Sequence, residues 1–226
     1  MLPLVLTAVL GVAASAPTSR CDRGAPEPIG FHSRGFGYVA ELFPPKSRRN
    51  PGTKPRAYLY TVAYPGREWR VEAHRLWTAE LANALMPDAA LVSAAGHVVT
   101  LDDYDGAGGN HALVVYATTG RLVRSFALEQ LLGAETSRVA RADCGLLWRE
   151  GTSFYFASQV DPKLYVVLPW NRVLEVTLST GTLRRGILGA FPALREILKT
   201  PYPNELTEVW ATSLRFSSLT DLDPPK

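Results

Sequence analysis

The sequence predicts an all-β protein built from antiparallel, blade-like four-stranded units, arranged as a propeller-like or open β array with two short helices. Three observations carry this expectation. β-branched and aromatic runs separated by Gly-containing turns fill most of the 226 residues. One hairpin pattern recurs three times. Only two segments carry the apolar stripe of a helix.

The elements follow in chain order. Residues 1–16, MLPLVLTAVLGVAASA, read as a secretory signal peptide, with an apolar run from Leu2 to Val12 that gives way to small residues. The alternative is a buried apolar strand or helix. The run is too short to span a bilayer, and a polar, Pro-rich stretch follows at once. Residues 17–35 read as an extended N-terminal arm. Residues 36–220 read as a single β-repeat domain, and 221–226 as a tail. The expected location is secreted or periplasmic.

The repeated hairpin appears as AYLYTVAYPGREWRV (57–71), ALVVYATTGRLVRSF (112–126) and VLEVTLSTGTLRRGI (173–187). Each copy has an apolar run, a Gly-containing turn and a second run with arginine. Gly66, Gly120 and Gly181 recur at offsets of 54 and 61 residues. A tight hairpin turn demands positive φ, which a Cβ resists. Two further hairpins, turning at Gly96 and Gly151, precede the second and third copies. Two hairpins make one four-stranded unit. Residues 36–71 then form an incomplete first unit. Two full units and one partial one are fewer than a closed propeller needs. The helical stripes lie at 76–85 (Trp77, Leu81, Ala84, Leu85) and 191–199 (Phe191, Leu194, Ile197, Leu198).

The stretch LVSAAGHVVTLDDYDGAGGNHALVVYATTGRLVRSFALEQLL, 91–132, resembles a group of secreted bacterial proteins of unknown function with β-propeller-like repeats. The resemblance implies a β-repeat architecture and an exported location. It implies no activity.

A formal net charge of +3 is mild for this length, and no nucleic-acid-binding signature accompanies it. No G-x-S-x-G, HExxH or Walker loop is present. The four histidines, His32, His74, His97 and His111, show no zinc-ligand spacing. His97 and His111 would have to be brought together across a hairpin pair. The two cysteines, Cys21 and Cys144, would form a disulfide in an oxidising compartment or remain as buried thiols. In the chain-entropy picture that link is worth about 4–5 kcal/mol. Cys144 as a thiol nucleophile is the weaker alternative.

The densest cluster of chemistry is LDDYDGAGGNH, 101–111. Asp103, Asp105 and Gly108 resemble the start of a calcium loop, but Ala107 and Val114 occupy later ligand positions, which excludes an EF-hand. An irregular calcium site would use Asp102, Asp103, Asp105 and Asn110. The simpler reading is a connection between strands, with no cofactor. The basic stretch PPKSRRNPGTKPR, 44–56, could contact an anionic surface weakly, or simply face solvent. Tyr165 and Trp170, around VLPWN, are candidates for a ligand surface. The functional expectation is an exported, non-catalytic β-repeat module with a protein or polysaccharide partner. The alternative is a secreted hydrolase of carbohydrate or ester that uses carboxylates of the 101–111 loop.

Overall fold

The computed structural model describes residues 27–33, 37–45, 54–63, 72–104, 106, 108–142, 145–157 and 161–199. The expected signal peptide, both cysteines, Asp105, the Gly66 turn, residues 46–53 of the basic loop and the tail lie outside these residues.

The chain folds into three four-stranded antiparallel sheets, each in sequential strand order. The first contains β1 (Ile29–His32), β2 (Tyr38–Phe43), β3 (Arg56–Ala63) and β4 (Glu72–Glu80). The second contains β5 (Pro87–Val92), β6 (Val98–Asp103), β7 (Leu113–Tyr116) and β8 (Leu122–Phe126). Helix α1 (Leu128–Leu132) follows, then a 3-10 turn (Gly133–Arg138) and a two-residue ladder of β9 (Arg141–Ala142) with β10 (Gly145–Leu146). The third sheet contains β11 (Ser153–Ala157), β12 (Lys163–Leu168), β13 (Arg172–Thr177) and β14 (Thr182–Ile187). Helix α2 (Pro192–Leu198) ends the described chain. The fold is all-β with two short helices, as the sequence predicts. Among the described residues, no helix is long and apolar enough to cross a membrane.

Four details depart from the sequence reading. Ile29–His32, expected within the arm, is a strand paired with β2, so the first unit has four strands. The expected helix over 76–85 is strand β4 followed by bends. Trp77 and Leu81 are buried in that stretch while Leu76, Thr78 and Glu80 are exposed. Period-two burial wins there because β4 finds a ladder partner in β3. The second helix is instead α1, whose Leu128, Leu131 and Leu132 are buried. Finally, the Gly151 turn is not a hairpin of the third sheet. The partner of β11 is β12, and the β12–β13 turn is made by Asn171 at φ 61°. A short polar side chain tolerates that left-handed conformation.

The core lies between sheets. Alternation along β6 and β7 sends Val98, Val114 and Tyr116 into a cluster with Leu42, Leu59 and Trp77 of the first sheet. The opposite phase, Val99, Leu101, Leu113 and Val115, packs with Leu164, Val166 and Val176 of the third. The middle sheet is therefore buried on both faces, which explains the unbroken apolar runs of β6 and β7. Outer strands β8 and β14 are largely exposed. The far face of the third sheet is covered by α2, where Phe191 and Leu194 meet Tyr155, Tyr165 and Val173.

Turn glycines join neighbouring sheets. Gly120, at φ 80°, sits so close to the Trp77 ring that a Cβ would lie 2.8 Å from it. Gly181, at φ 69°, sits on Arg124, where a Cβ would lie 2.5 Å from the arginine Cβ. In both cases the turn between the third and fourth strands rests on the outer strand of the preceding sheet. Gly181→Ala combines a disfavoured φ with a clash against the Arg124 Cβ. It is expected to destabilise the protein by about 2–3 kcal/mol. Gly30→Ala, at a position with nothing within 4 Å, is expected to change stability by less than about 1 kcal/mol. Urea denaturation of both variants checks the contrast.

Candidate functional site

The 101–111 stretch begins as strand and ends as a connection. The β5–β6 register, with Pro87 opposite Asp103 and Ala89 opposite Leu101, places Asp88 across from Asp102. Two like charges in that relation repel. Arg149, in the turn after β10, bridges them. Its Nε lies 2.7 Å from Asp102 Oδ2, and its NH2 group donates to Asp88 Oδ2.

The Asp102 side chain is wholly buried. Its carboxylate also accepts from the Gly108 N–H (2.7 Å) and from Trp148 Nε1 (2.8 and 3.0 Å to its two oxygens). Its backbone carbonyl accepts from Asn83 Nδ2 at 3.1 Å, and Thr100 donates to Asn83 Oδ1 at 3.1 Å. The Tyr116 hydroxyl accepts from the Ala82 N–H at 2.8 Å. Asp102 adopts φ 53°, a conformation that costs about 1–3 kcal/mol and persists only when surrounding bonds enforce it. These bonds connect the segment leaving the first sheet (Ala82, Asn83), the middle sheet (Asp102, Tyr116) and the turn entering the third (Trp148, Arg149).

Burial is the largest influence on the Asp102 carboxyl and pushes its pKa up. Arg149, the Gly108 N–H and Trp148 pull it back, while Asp88 raises it further. Tyr116 is pushed up to about 12, chiefly by burial.

The structure separates the sequence-level site candidates. Asp102 turns inward onto a tryptophan and a guanidinium, away from solvent. Asp103 is half-buried, and its backbone carbonyl accepts from the Gly106 N–H at 3.0 Å. Asn110 is exposed. Among the described residues, no group of three or more His, Cys, Asp or Glu is placed to hold a metal ion. His97 and His111 do not meet. Val98 pairs with Tyr116 and Leu101 with Leu113, so the two histidines flank opposite ends of the β6–β7 ladder. His111 Nδ1 lies 2.9 Å from Ser125 Oγ instead.

Tyr165 is buried rather than on a ligand surface, with its hydroxyl donating to Glu175 Oε2 at 2.8 Å. Trp170 packs on the opposite face of that sheet, and its Nε1 donates to Glu135 Oε2 at 3.0 Å. Reasoning from sequence missed Asp88, Asn83, Trp148 and Arg149 as members of one network. Asn83, a polar residue inside the apolar stripe LANAL, was the available signal, since a buried amide requires partners.

No family model matches the chain, and no curated protein matches it. Among solved structures, the crystal structure of HIRA(644-1017) is similar at a TM-score of 0.36 and 12% identity, over 76% of this chain. The chain spans 57% of that structure. The likeness is loose, and the strand pairing alone shows the all-β architecture.

Two outcomes test this geometry. Asp102→Ala removes the buried partner of Arg149 and leaves the Trp148 donor unpaired, for an expected loss of about 3 kcal/mol. Asp88→Ala, at the more open end, is expected to cost less than that. Equilibrium denaturation distinguishes them. Burial lowers the pKa of His97 below its ordinary 6.5. The folded state therefore prefers the neutral ring. That contribution is present above pH 6.5 and is lost as pH falls through the lowered value. Urea midpoints between pH 7.5 and 5 are expected to fall more steeply for the natural protein than for His97→Gln.

Proposed function

We propose that this chain is an exported, non-catalytic β-repeat module that binds a protein or polysaccharide partner. One observation supports the reading above the others. Asp102, the best-placed carboxylate of the 101–111 stretch, is fully buried and tied into the junction between sheets. A group in that position fastens the scaffold and does not reach a substrate. The two-sided burial of the middle sheet supplies a rigid frame that presents outer strands and turns to solvent, the usual arrangement for recognition by loops and edges. The leader-like apolar run at 1–16 supports export.

A panel of glycoside and ester substrates tests the catalytic side. No turnover is expected. Turnover lost in Asp103→Asn without loss of stability would instead establish the hydrolase. The export side predicts a mature N-terminus lacking the first fourteen to sixteen residues, with Cys21 and Cys144 linked. Intact-mass measurement and non-reducing peptide mapping of protein from its native host read both. An uncut Met1 terminus and two free thiols would overturn the export reading. Calcium is expected to leave the melting temperature unchanged. A site on the folded form would raise stability by about 2.7 kcal/mol at a hundredfold excess over its dissociation constant.

A further inference from the structure

Two hairpin ends of adjacent sheets meet on the outside of the molecule. One is the β7–β8 turn with β8, residues 117–126. The other is the β13–β14 turn with β14, residues 178–187. They touch where Gly181 packs on Arg124. Neither segment contains an Asp or Glu, and the wider stretches 112–128 and 176–195 contain none either. Between them the two hairpins expose Arg121, Arg124, Arg184 and Arg185.

The surroundings of these arginines orient the charge and leave most of it unneutralised. Arg185 Nε donates to the Leu131 carbonyl at 2.8 Å, and its NH2 group donates to that of Gln130. Arg184 donates to the Ala190 carbonyl at 2.9 Å and lies over the Phe191 ring. Arg124 lies over the Phe126 ring. Carbonyls and rings hold a guanidinium in place but carry no net negative charge. Among the described residues, the one carboxylate near these arginines in an ion pair is Glu175, 3.7 Å from Arg184 and almost fully buried. Arg121 is exposed with no ion pair among the described residues. Arginines already held by neutral partners lose less conformational freedom when an anion arrives.

The rest of this surface is rich in hydroxyls. Thr118, Thr119, Ser179, Thr180 and Thr182 are exposed in the two turns. The apolar exposure is limited to separate residues, chiefly Leu122 and Ile187, which is little for insertion into a bilayer. Oriented guanidiniums beside exposed hydroxyls suit a polymer that carries both carboxylates and hydroxyls. We propose that the paired hairpins of β8 and β14 bind an acidic polysaccharide. This rests on the reading of the chain as a binding module and names the partner class.

The test uses the full chain and polygalacturonate as probe, with neutral dextran and phosphatidylglycerol vesicles as comparisons. Polygalacturonate is expected to bind at low ionic strength and to release as salt rises. Binding is expected to weaken by about tenfold in the double variant Arg121→Gln, Arg124→Gln. It is expected to be unchanged in Arg56→Gln, a charge on another sheet, and dextran is not expected to bind. The single variant Arg121→Gln, at an exposed side chain with no ion pair among the described residues, is expected to lose about threefold and covers the case in which the double variant fails to fold. Three outcomes overturn the proposal: no binding of polygalacturonate, equal losses in Arg56→Gln, or arginine-dependent binding of vesicles in preference to the polymer. Shortening of the polymer would overturn the non-catalytic reading instead, whereas a folded, inactive protein that ignores the polymer would overturn this proposal alone.

Discussion

The middle sheet is apolar on both faces, and this constraint organises the molecule. β6 and β7 send alternate side chains to opposite sides, and both phases are buried. Such a sheet cannot face water on either side. At about 25 cal/mol per Å2 of apolar surface, exposing one face would forfeit several side chains' worth of burial. A neighbouring sheet on each side is therefore required. The first and third sheets need only one fully apolar face each. The stacking order of the three units follows from this difference and from short connections that keep successive units adjacent.

Hydrophobic contact alone does not set how the sheets are aligned. Asp102 supplies that information. A buried carboxylate is costly unless paired and hydrogen-bonded, and here the backbone and side chain of one residue recruit Asn83, Gly108, Trp148 and Arg149. The partners come from three parts of the chain, with Trp148 and Arg149 adjacent in one turn. Sliding one sheet along another would leave a charge or an indole N–H unpaired, at a cost larger than the loss of any single aliphatic contact. The positive φ of Asp102 belongs to the same arrangement. It turns the carboxylate away from the strand's alternation and toward the side on which Trp148 packs with Phe154.

The fold class was legible because strand alternation and turn glycines are local signals. Gly96, Gly120 and Gly181 mark turns that the structure contains, and α2 lies where Phe191, Leu194, Ile197 and Leu198 suggest. Ile29–His32 was hidden because four residues flanked by Pro and Gly look irregular until β2 pairs with them. The stretch 76–85 misled because Trp77 and Leu81 satisfy a helical stripe and a strand alternation equally over so short a span. Asn171 was hidden because a search for turns keyed on glycine passes over asparagine. The Asp102 network was the least legible. Its partners lie 19 and 46 residues away in sequence, and only register and packing unite them.

The far face of the third sheet departs from the pattern of the first two units. By the pattern of the first two units, its far face would meet another sheet, and another turn would rest on β14. Instead, Phe191 comes against Gly186, where a Cβ would lie 2.9 Å from its ring, and α2 covers Tyr155, Tyr165 and Val173. The face beneath it is chemically unlike those of β6 and β7. It carries Tyr165 hydrogen-bonded to Glu175, with Lys163 and Arg184 within 3.8 Å of that carboxylate. A continuing apolar sheet would leave these groups without water and with few partners. A two-turn helix covers the apolar part and leaves the charged rim in solvent. Arg184 and Arg185 remain on the outer strand, oriented by Ala190 and by the carbonyls of α1, so the residues that cover the third sheet also help set its exposed charge.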